Sequence, residues 1–312
     1  MTNNIKQKDA KFTTSVAFGI ICAFLATLVW SGNFIAGRAL APSLSPMILV
    51  LLRCTLASLI MLPLAWRPLK ADWPVIRANL RFCALLSLLG ITGANVFVYM
   101  AAHSTSAVNL SIISICTPLC ILLLTRIFFA ERLGLTRIIG LCITISGVLV
   151  LISRGEAAVL LNLHFQSGDL LMFGNVLSFA VYTLLLRKLP RGISLPSLLF
   201  MLMAMGGLFV IPGAIWEFVA GPPPVFNWAV FGGIVYVSLG SSLLAYGLWN
   251  IGIERAGSAR TSIVYYSMPL FCGIEAIIIL NEPVTLMHTI SITLIIAGLF
   301  TAMRTPKSAK KL

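Results

Sequence analysis

Charge is what this sequence has least of. Asp, Glu, Lys and Arg make up only 10% of its 312 residues, where a soluble domain carries about a quarter. So few charges cannot cover a water-facing surface. With 59% hydrophobic residues, the composition implies an all-α integral membrane protein whose first partner is the lipid bilayer. Acidic residues are scarcer still, nine against 22 Lys and Arg. The resulting net charge of +13 would suit nucleic acid. The basic residues, however, sit in short clusters between apolar runs, with no contiguous basic domain. Membrane orientation explains them better, and no nucleic acid partner is expected.

Other absences narrow the chemistry. No G-x-x-x-x-G-K-[ST] phosphate loop occurs, nor any domain to hold one, which excludes ATP hydrolysis by that route. His103, His164 and His288 are scattered. They form no H-E-x-x-H, and no metal or nucleophile constellation accompanies them. Neither enzyme activity nor a cofactor is expected. The seven cysteines all fall inside apolar segments, and their odd number argues against a disulfide framework. Cys116 and Cys120 share a helix face but lack a His or carboxylate companion, so they read as small packing residues.

Long hydrophobic runs are what the chain does have. The polar start through Thr14 and the apolar Val16–Trp30 imitate a signal peptide, but no small-residue cleavage site follows and the run continues to Ile35. It reads as a first membrane helix. A span needs roughly 20 apolar residues. Ten segments qualify, at about 16–38, 46–66, 81–103, 106–129, 135–153, 168–187, 195–219, 226–251, 258–280 and 285–303. Pro and Gly mark the joints, among them Pro42, Pro46, Pro68, Gly134, Pro190, Gly192 and Pro222–Pro224. With the N-terminus inside, 19 of the 22 Lys and Arg fall in cytoplasmic segments. Arg38 and Arg154 fall outside, and Arg53 lies within the second span. This bias places both short tails, 1–15 and 305–312, in the cytoplasm.

The chain also repeats itself. Ala107–Arg132, an apolar run with Pro118 at its centre, returns 151 positions later as Ser258–Pro283, with Pro269 at its centre. Ser111, Leu119, Glu131 and Gly147 match Ser262, Leu270, Glu282 and Gly298 at that spacing. Trp30, Arg38 and Leu40 match Phe179, Arg187 and Leu189 at a spacing of 149. Ten spans in two copies give two five-helix repeats, 16–153 and 168–304. Because five is odd, the copies cross the membrane in opposite senses. Inverted repeats of this kind are an alternating-access architecture with a site near the midplane.

These residues resemble the drug/metabolite transporter superfamily, in particular its bacterial EamA-type branch with two EamA repeats. The resemblance is carried by Trp30-Ser31-Gly32-Asn33 with Arg38, by Arg53, by the pattern from Ala107 through Pro118 to Glu131-Arg132-Leu133, and by its copy from Gly257 through Pro269 to Asn281-Glu282-Pro283. The family's usual Leu-Gly-Glu before the final turn lacks its glycine in both copies. The resemblance covers about 20–304 and implies a gradient-driven carrier in the bacterial inner membrane, often an exporter of amino acids, other metabolites or drugs.

Polar groups in hydrocarbon need a reason. Eight of the nine acidic residues sit in loops or at span ends, and Glu275 alone lies well inside a span. It is roughly 8 Å deep from the outer side, and Arg53 about 12 Å from the same side. The two can pair, or Glu275 can exchange protons, which makes the proton a candidate coupling ion. The bland alternatives are an interfacial Glu275 and a structural Arg53. A second constellation comprises Trp30, Asn33, Tyr99, His103, Tyr182, Tyr246, Trp249, Asn250, Tyr265 and Tyr266. Tyr99 and His103 share a helix face, as do Tyr246 and Asn250. Such side chains suit the binding of amphipathic small molecules. An interfacial aromatic belt is the competing explanation, and fits His103, Trp249 and Asn250 best. Pro118 and Pro269 are expected to kink their helices, as gates or as passive shape. The function expected is secondary export of amino acids or related metabolites. An uptake carrier or exchanger of the same superfamily remains open, as do an intramembrane enzyme and a channel.

Overall fold

The computed structural model describes residues 2–104, 110, 113–114, 116–130, 134–153, 156, 167–268, 270–272, 274–275 and 286–303. Among them every regular element is helical and no strand occurs. The helices are α1 (Thr2–Leu40), α2 (Pro46–Ala78), α3 (Leu80–Ser104), α4 (Cys116–Phe129) and α5 (Leu135–Ser153). Then come α6 (Ser167–Lys188), α7 (Leu195–Ala220), α8 (Trp228–Ala256), α9 (Ser258–Val264, continuing through a tight turn at Tyr265–Ser267) and α10 (Leu286–Met303). Six described helices are long and apolar enough to cross a membrane: α1 from Ser15, α2, α3, α6, α7 and α8. Cys116–Phe129, Leu135–Val150 and Thr289–Ala302 are shorter apolar helices.

The outside of the molecule is apolar and the inside holds its polar groups. On α1, Phe18, Ile21, Leu25, Leu28 and Ile35 are exposed on one stripe, while Thr27, Trp30, Ser31 and Asn33 are buried opposite. That is the arrangement expected when the solvent is lipid, since a hydrocarbon-facing polar group would have no partner. α2 extends past the expected end near residue 66 and runs through Pro68, which was expected at a joint, and through Pro63 and Pro74. Each proline removes one backbone donor, a loss that helices in a membrane protein absorb.

The first and second parts of the chain interlock. The most extensive packing pairs α5 with α10, α2 with α7, α1 with α8, and α3 with α6. α2 and α7 both begin with a serine at the N-cap position, Ser45 and Ser194, whose side chain makes no capping bond, followed by a proline-containing first turn. Each then receives a carboxylate from the other. Glu217 of α7 accepts hydrogen bonds from the backbone N–H groups of Met47 (2.8 Å) and Ile48 (3.2 Å). Asp72 of α2 accepts from the Ser194 N–H (2.8 Å) and hydroxyl (2.6 Å). Negative charge at a helix N-terminus is stabilising, so the antiparallel pair is clamped at both ends. Asp72 and Glu217, expected only as loop or span-end residues, are therefore structural caps.

α5 and α10 meet backbone to backbone. A Cβ added at Gly298 would lie 2.5 Å from the Thr144 nitrogen, and one at Gly140 would lie 2.3 Å from the Ala302 nitrogen. Small residues let membrane helices approach this closely. With α4 and α9 they form a minor core around Leu122, Leu141, Val148, Ile263, Tyr266 and Ile295. The main core is built largely by α1–α3 and α6–α8, and it contains the aromatic cluster described next.

Candidate functional site

Two helices widen where the main core is most polar. α3 takes a π-helical turn at Leu88–Gly93 and α8 another at Tyr236–Leu244. π turns loosen the regular i→i−4 pattern and are often found at functional sites. Gly90 and Ser241 stand 151 positions apart, one in each turn. The Gly90 carbonyl accepts from the Tyr246 hydroxyl, and the Ser241 carbonyl accepts from Trp30 Nε1 at 3.0 Å. Gly90 is required here by space, because a Cβ would lie 2.2 Å from the Tyr182 ring.

Between these turns lies a cluster of six aromatic side chains: Trp30 of α1, Phe179 and Tyr182 of α6, Tyr246 and Trp249 of α8, and Tyr265. Trp30 meets Phe179 edge-on at 5.2 Å between centroids, and meets Tyr246 at the same separation. Trp249 lies 5.6 Å from Phe179 and 5.8 Å from Tyr265. These spacings are the usual ones for attractive aromatic pairs.

A directed hydrogen-bond network flanks the cluster. Arg53 Nε donates to Ser242 Oγ at 2.8 Å, and Nη1 donates to Asn95 Oδ1 and Tyr99 Oη, each at 2.6 Å. Tyr99 donates onward to Asn33 Oδ1 at 2.9 Å. Asn95 Nδ2 donates to the Ile91 carbonyl at 2.7 Å and approaches Tyr246 Oη at 3.3 Å. On the other side, Tyr182 donates to Asn250 Oδ1 at 2.9 Å. A small cavity of about 40 Å³ opens among Trp30, Asn33, Asn95, Phe179, Tyr246 and Tyr265.

Larger vestibules lie on either side. One, of about 760 Å³, is bounded by the α6–α7 turn and includes Arg187, Arg191, Glu254 and Asn250. Asn250 therefore touches both that vestibule and, through Tyr182, the aromatic cluster. The other, of about 580 Å³, lies by the α1–α2 and α7–α8 turns and includes Pro42, His103, Trp216 and Glu217.

Trp30, Asn33, Tyr99, Tyr246 and Tyr265 are thus brought together. Trp249, which fitted an interfacial belt, is fully buried and stacks in the cluster. His103 does not join it: the ring is exposed, with Nδ1 2.8 Å from the Tyr99 carbonyl. Of the two alternatives for Arg53 and Glu275, the pairing does not form among the described residues. Arg53 is taken by neutral partners on α3 and α8, while Glu275 Oε1 accepts from Ser31 Oγ at 2.7 Å and Oε2 is buried without a partner among the described residues. Similar depth did not imply a shared face. Pro118 is buried in α4. Pro269, Glu131 and Glu282 lie outside the described residues.

Asn95, Phe179 and Ser242 escaped the sequence reading as site residues. Asn95 carried a usable signal: an amide in an apolar span, four residues before Tyr99 and so on its face. Ser242 carried none, because its contact depends on how α8 meets α2.

Comparison with known proteins agrees with this architecture. A family described as the EamA-like transporter family matches residues 17–153 and 166–304. An uncharacterized transporter of Archaeoglobus fulgidus is 29% identical over 294 residues, covering 88% of this chain and 94% of the relative. The uncharacterized transporter YyaM of Bacillus subtilis is 27% identical over 237 residues, covering 74% and 77%. A solved crystal structure superposes with a TM-score of 0.73 at 18% identity, covering 91% of this chain and 96% of the other. At that identity the likeness shows the fold.

Proposed function

The chain belongs to the EamA-like transporter family, and from that premise we propose that it is a secondary carrier exporting amino acids or related metabolites across a bacterial inner membrane by alternating access. It is a multi-pass membrane protein of a transporter family. We read α1–α5 and α6–α10 as ten crossings in two inverted repeats, with both termini cytoplasmic. The pairing of helices supports this, because exchanging the halves turns α1–α8 into α6–α3 and leaves α2–α7 and α5–α10 unchanged. Residues at matching positions also touch one another: Trp30 meets Phe179, and Asn95 meets Tyr246. Residues that contact their own counterparts lie on a twofold axis, which would run through the aromatic cluster.

The observation that carries the function is a small central cavity among buried aromatic side chains, with larger vestibules on either side. About 40 Å³ holds on the order of one water molecule, whereas ligand sites are roughly 300–1,000 Å³. The site would open to one vestibule at a time as helices part. The vestibule at the α6–α7 turn would face the cytoplasm. Trp30, Asn33, Tyr99, Tyr246, Trp249 and Tyr265 would line the substrate path. Glu275 is the candidate proton carrier, since it is a carboxyl at depth whose only hydrogen bond among the described residues is to Ser31.

Reconstitution in proteoliposomes tests this, with flux measured for a panel of amino acids with and without a pH gradient. Saturable, gradient-stimulated flux is expected. Non-saturating ionic currents would point to a channel and overturn the carrier reading.

A further inference from the structure

Arg53 is a buried cation with no acidic partner among the described residues. Its side chain is 1% exposed, and among the described residues it forms no ion pair. Its hydrogen bonds go to a hydroxyl, an amide and a phenol. An intramembrane charge held this way is costly, and such residues characteristically mark substrate pathways.

The chemistry of the donors fixes the direction of the network. A guanidinium can only donate. Asn95 must therefore turn Oδ1 towards it, and Tyr99 Oη must accept from it. The one Tyr99 proton is then directed to Asn33, which must present Oδ1 in turn. Asn33 is left with its amide N–H₂ uncommitted, making no hydrogen bond to any described residue. Asn33 and Asn95 both line the central cavity beside Trp30, Phe179 and Tyr246. The chain Arg53→Tyr99→Asn33 thus ends in a donor at the cavity wall, polarised by a full positive charge behind it. Hydrogen bonds in series strengthen one another in a low dielectric.

The second half repeats the device without the charge. Asn33 and Tyr182 match at a spacing of 149, and Tyr99 and Asn250 at 151. The Asn33–Tyr99 bond and the Tyr182–Asn250 bond, each 2.9 Å, are the same contact with the two residue types exchanged. Pro46 matches Pro196, which sets Arg53 against Met203, and Met203 is buried.

We propose that the central cavity is a carboxylate site: the anionic end of the substrate binds at Asn33 Nδ2, backed by Arg53 through Tyr99, and the apolar body lies among Trp30, Phe179 and Tyr246. This rests on the reading of the cavity as the substrate site and adds which end of the substrate goes where. Arg53 is a positioning residue, since it acts through Tyr99. The ligand reaches the site when the helices around it separate.

Calorimetric titration of the purified full-length chain in detergent tests it at constant neutral pH. The probes are 3-phenylpropanoate, its amide, 3-phenylpropylamine, phenyl phosphate and L-phenylalanine. The carboxylate is expected to bind at least tenfold more tightly than the amide or the amine. Asn33→Asp keeps the acceptor for Tyr99 but replaces the free N–H₂ by a charged oxygen, and it should reverse the preference in favour of the amine. Arg53→Met should reduce the preference about tenfold. Should that variant not fold, Asn33→Asp still decides. A preference for the amine or amide in the parent protein, or a carboxylate preference that survives Asn33→Asp, overturns the anion site while leaving a carrier of other molecules standing. Preference for phenyl phosphate over the carboxylate also overturns it. Binding of 3-phenylpropanoate without L-phenylalanine keeps the site and overturns the amino-acid reading. No binding by any probe overturns both.

Discussion

Asn33 and Tyr99 in the first half meet as Tyr182 and Asn250 meet in the second, at the same distance and between corresponding helices. Behind the first pair stands Arg53; the matching position of the second holds Met203. The cost of a charge in hydrocarbon makes this the most consequential difference between the halves. Where the halves agree, in the π turns of α3 and α8 and the glycine seam of α5 and α10, they build the scaffold. Where they differ, a buried guanidinium stands behind Tyr99 in one half, and a buried methionine holds the matching position in the other. If the cavity holds the substrate as proposed, this difference would give an asymmetric substrate a direction in which to lie.

The harshest way to break the comparison is to make the halves alike by adding charge. Met203→Arg would bury a second guanidinium without a prepared set of acceptors. A central arginine costs about 3 kcal/mol on insertion scales, and overpacking adds about 1–3 kcal/mol more. The expected result is loss of monodisperse protein in size-exclusion chromatography, with Met203→Leu behaving as the parent. Next comes the shared seam. Gly298→Leu forces a side chain against the Thr144 nitrogen and the Gly140 carbonyl, and should destabilise by about 2–3 kcal/mol, read as a lowered melting temperature.

Removing one phenolic hydroxyl from each half sharpens the contrast. Tyr99→Phe cuts the path from Arg53 to Asn33, and a charge-assisted bond is worth about 1.5–3 kcal/mol. Carboxylate affinity should fall at least tenfold. Tyr182→Phe removes a neutral bond worth about 1 kcal/mol, so a small loss of thermal stability is expected, with the preference for carboxylate over amide retained. Equal effects on that preference would mean that the charge is irrelevant.

Glu275→Gln keeps the Ser31 contact possible but removes the ionisable group. Flux stimulated by a pH gradient should drop to the level seen without one, and full retention of the stimulation would end the proton-carrier role. The smallest effect belongs to His103→Ala, on the exposed surface of the second vestibule. Less than a twofold change in flux is expected.

Particular residues show how much was legible in advance. The buried cluster around Trp30, Tyr99, Tyr246 and Tyr265 was anticipated because aromatic residues with polar tips inside apolar runs are conspicuous. Trp249 was misplaced because nearness to a helix end says nothing about which face it occupies. His103 shares a face with Tyr99, but its ring returns to the Tyr99 carbonyl and stays at the surface. Arg53 and Glu275 were matched by depth, although depth is one coordinate and pairing needs three. The capping roles of Asp72 and Glu217 were invisible, since each caps a helix well over a hundred residues away.

The sequence by itself determined membrane residence, the helical class and the family. Hydrophobicity adds along the chain, backbone groups in lipid must bond within their own segment, and a repeat is visible as spacing. Only the tertiary structure decided which half bears the charged network, in which direction its hydrogen bonds run and where they end. Those depend on which side of each helix meets which neighbour, and on a guanidinium that can give protons to its partners but never accept one.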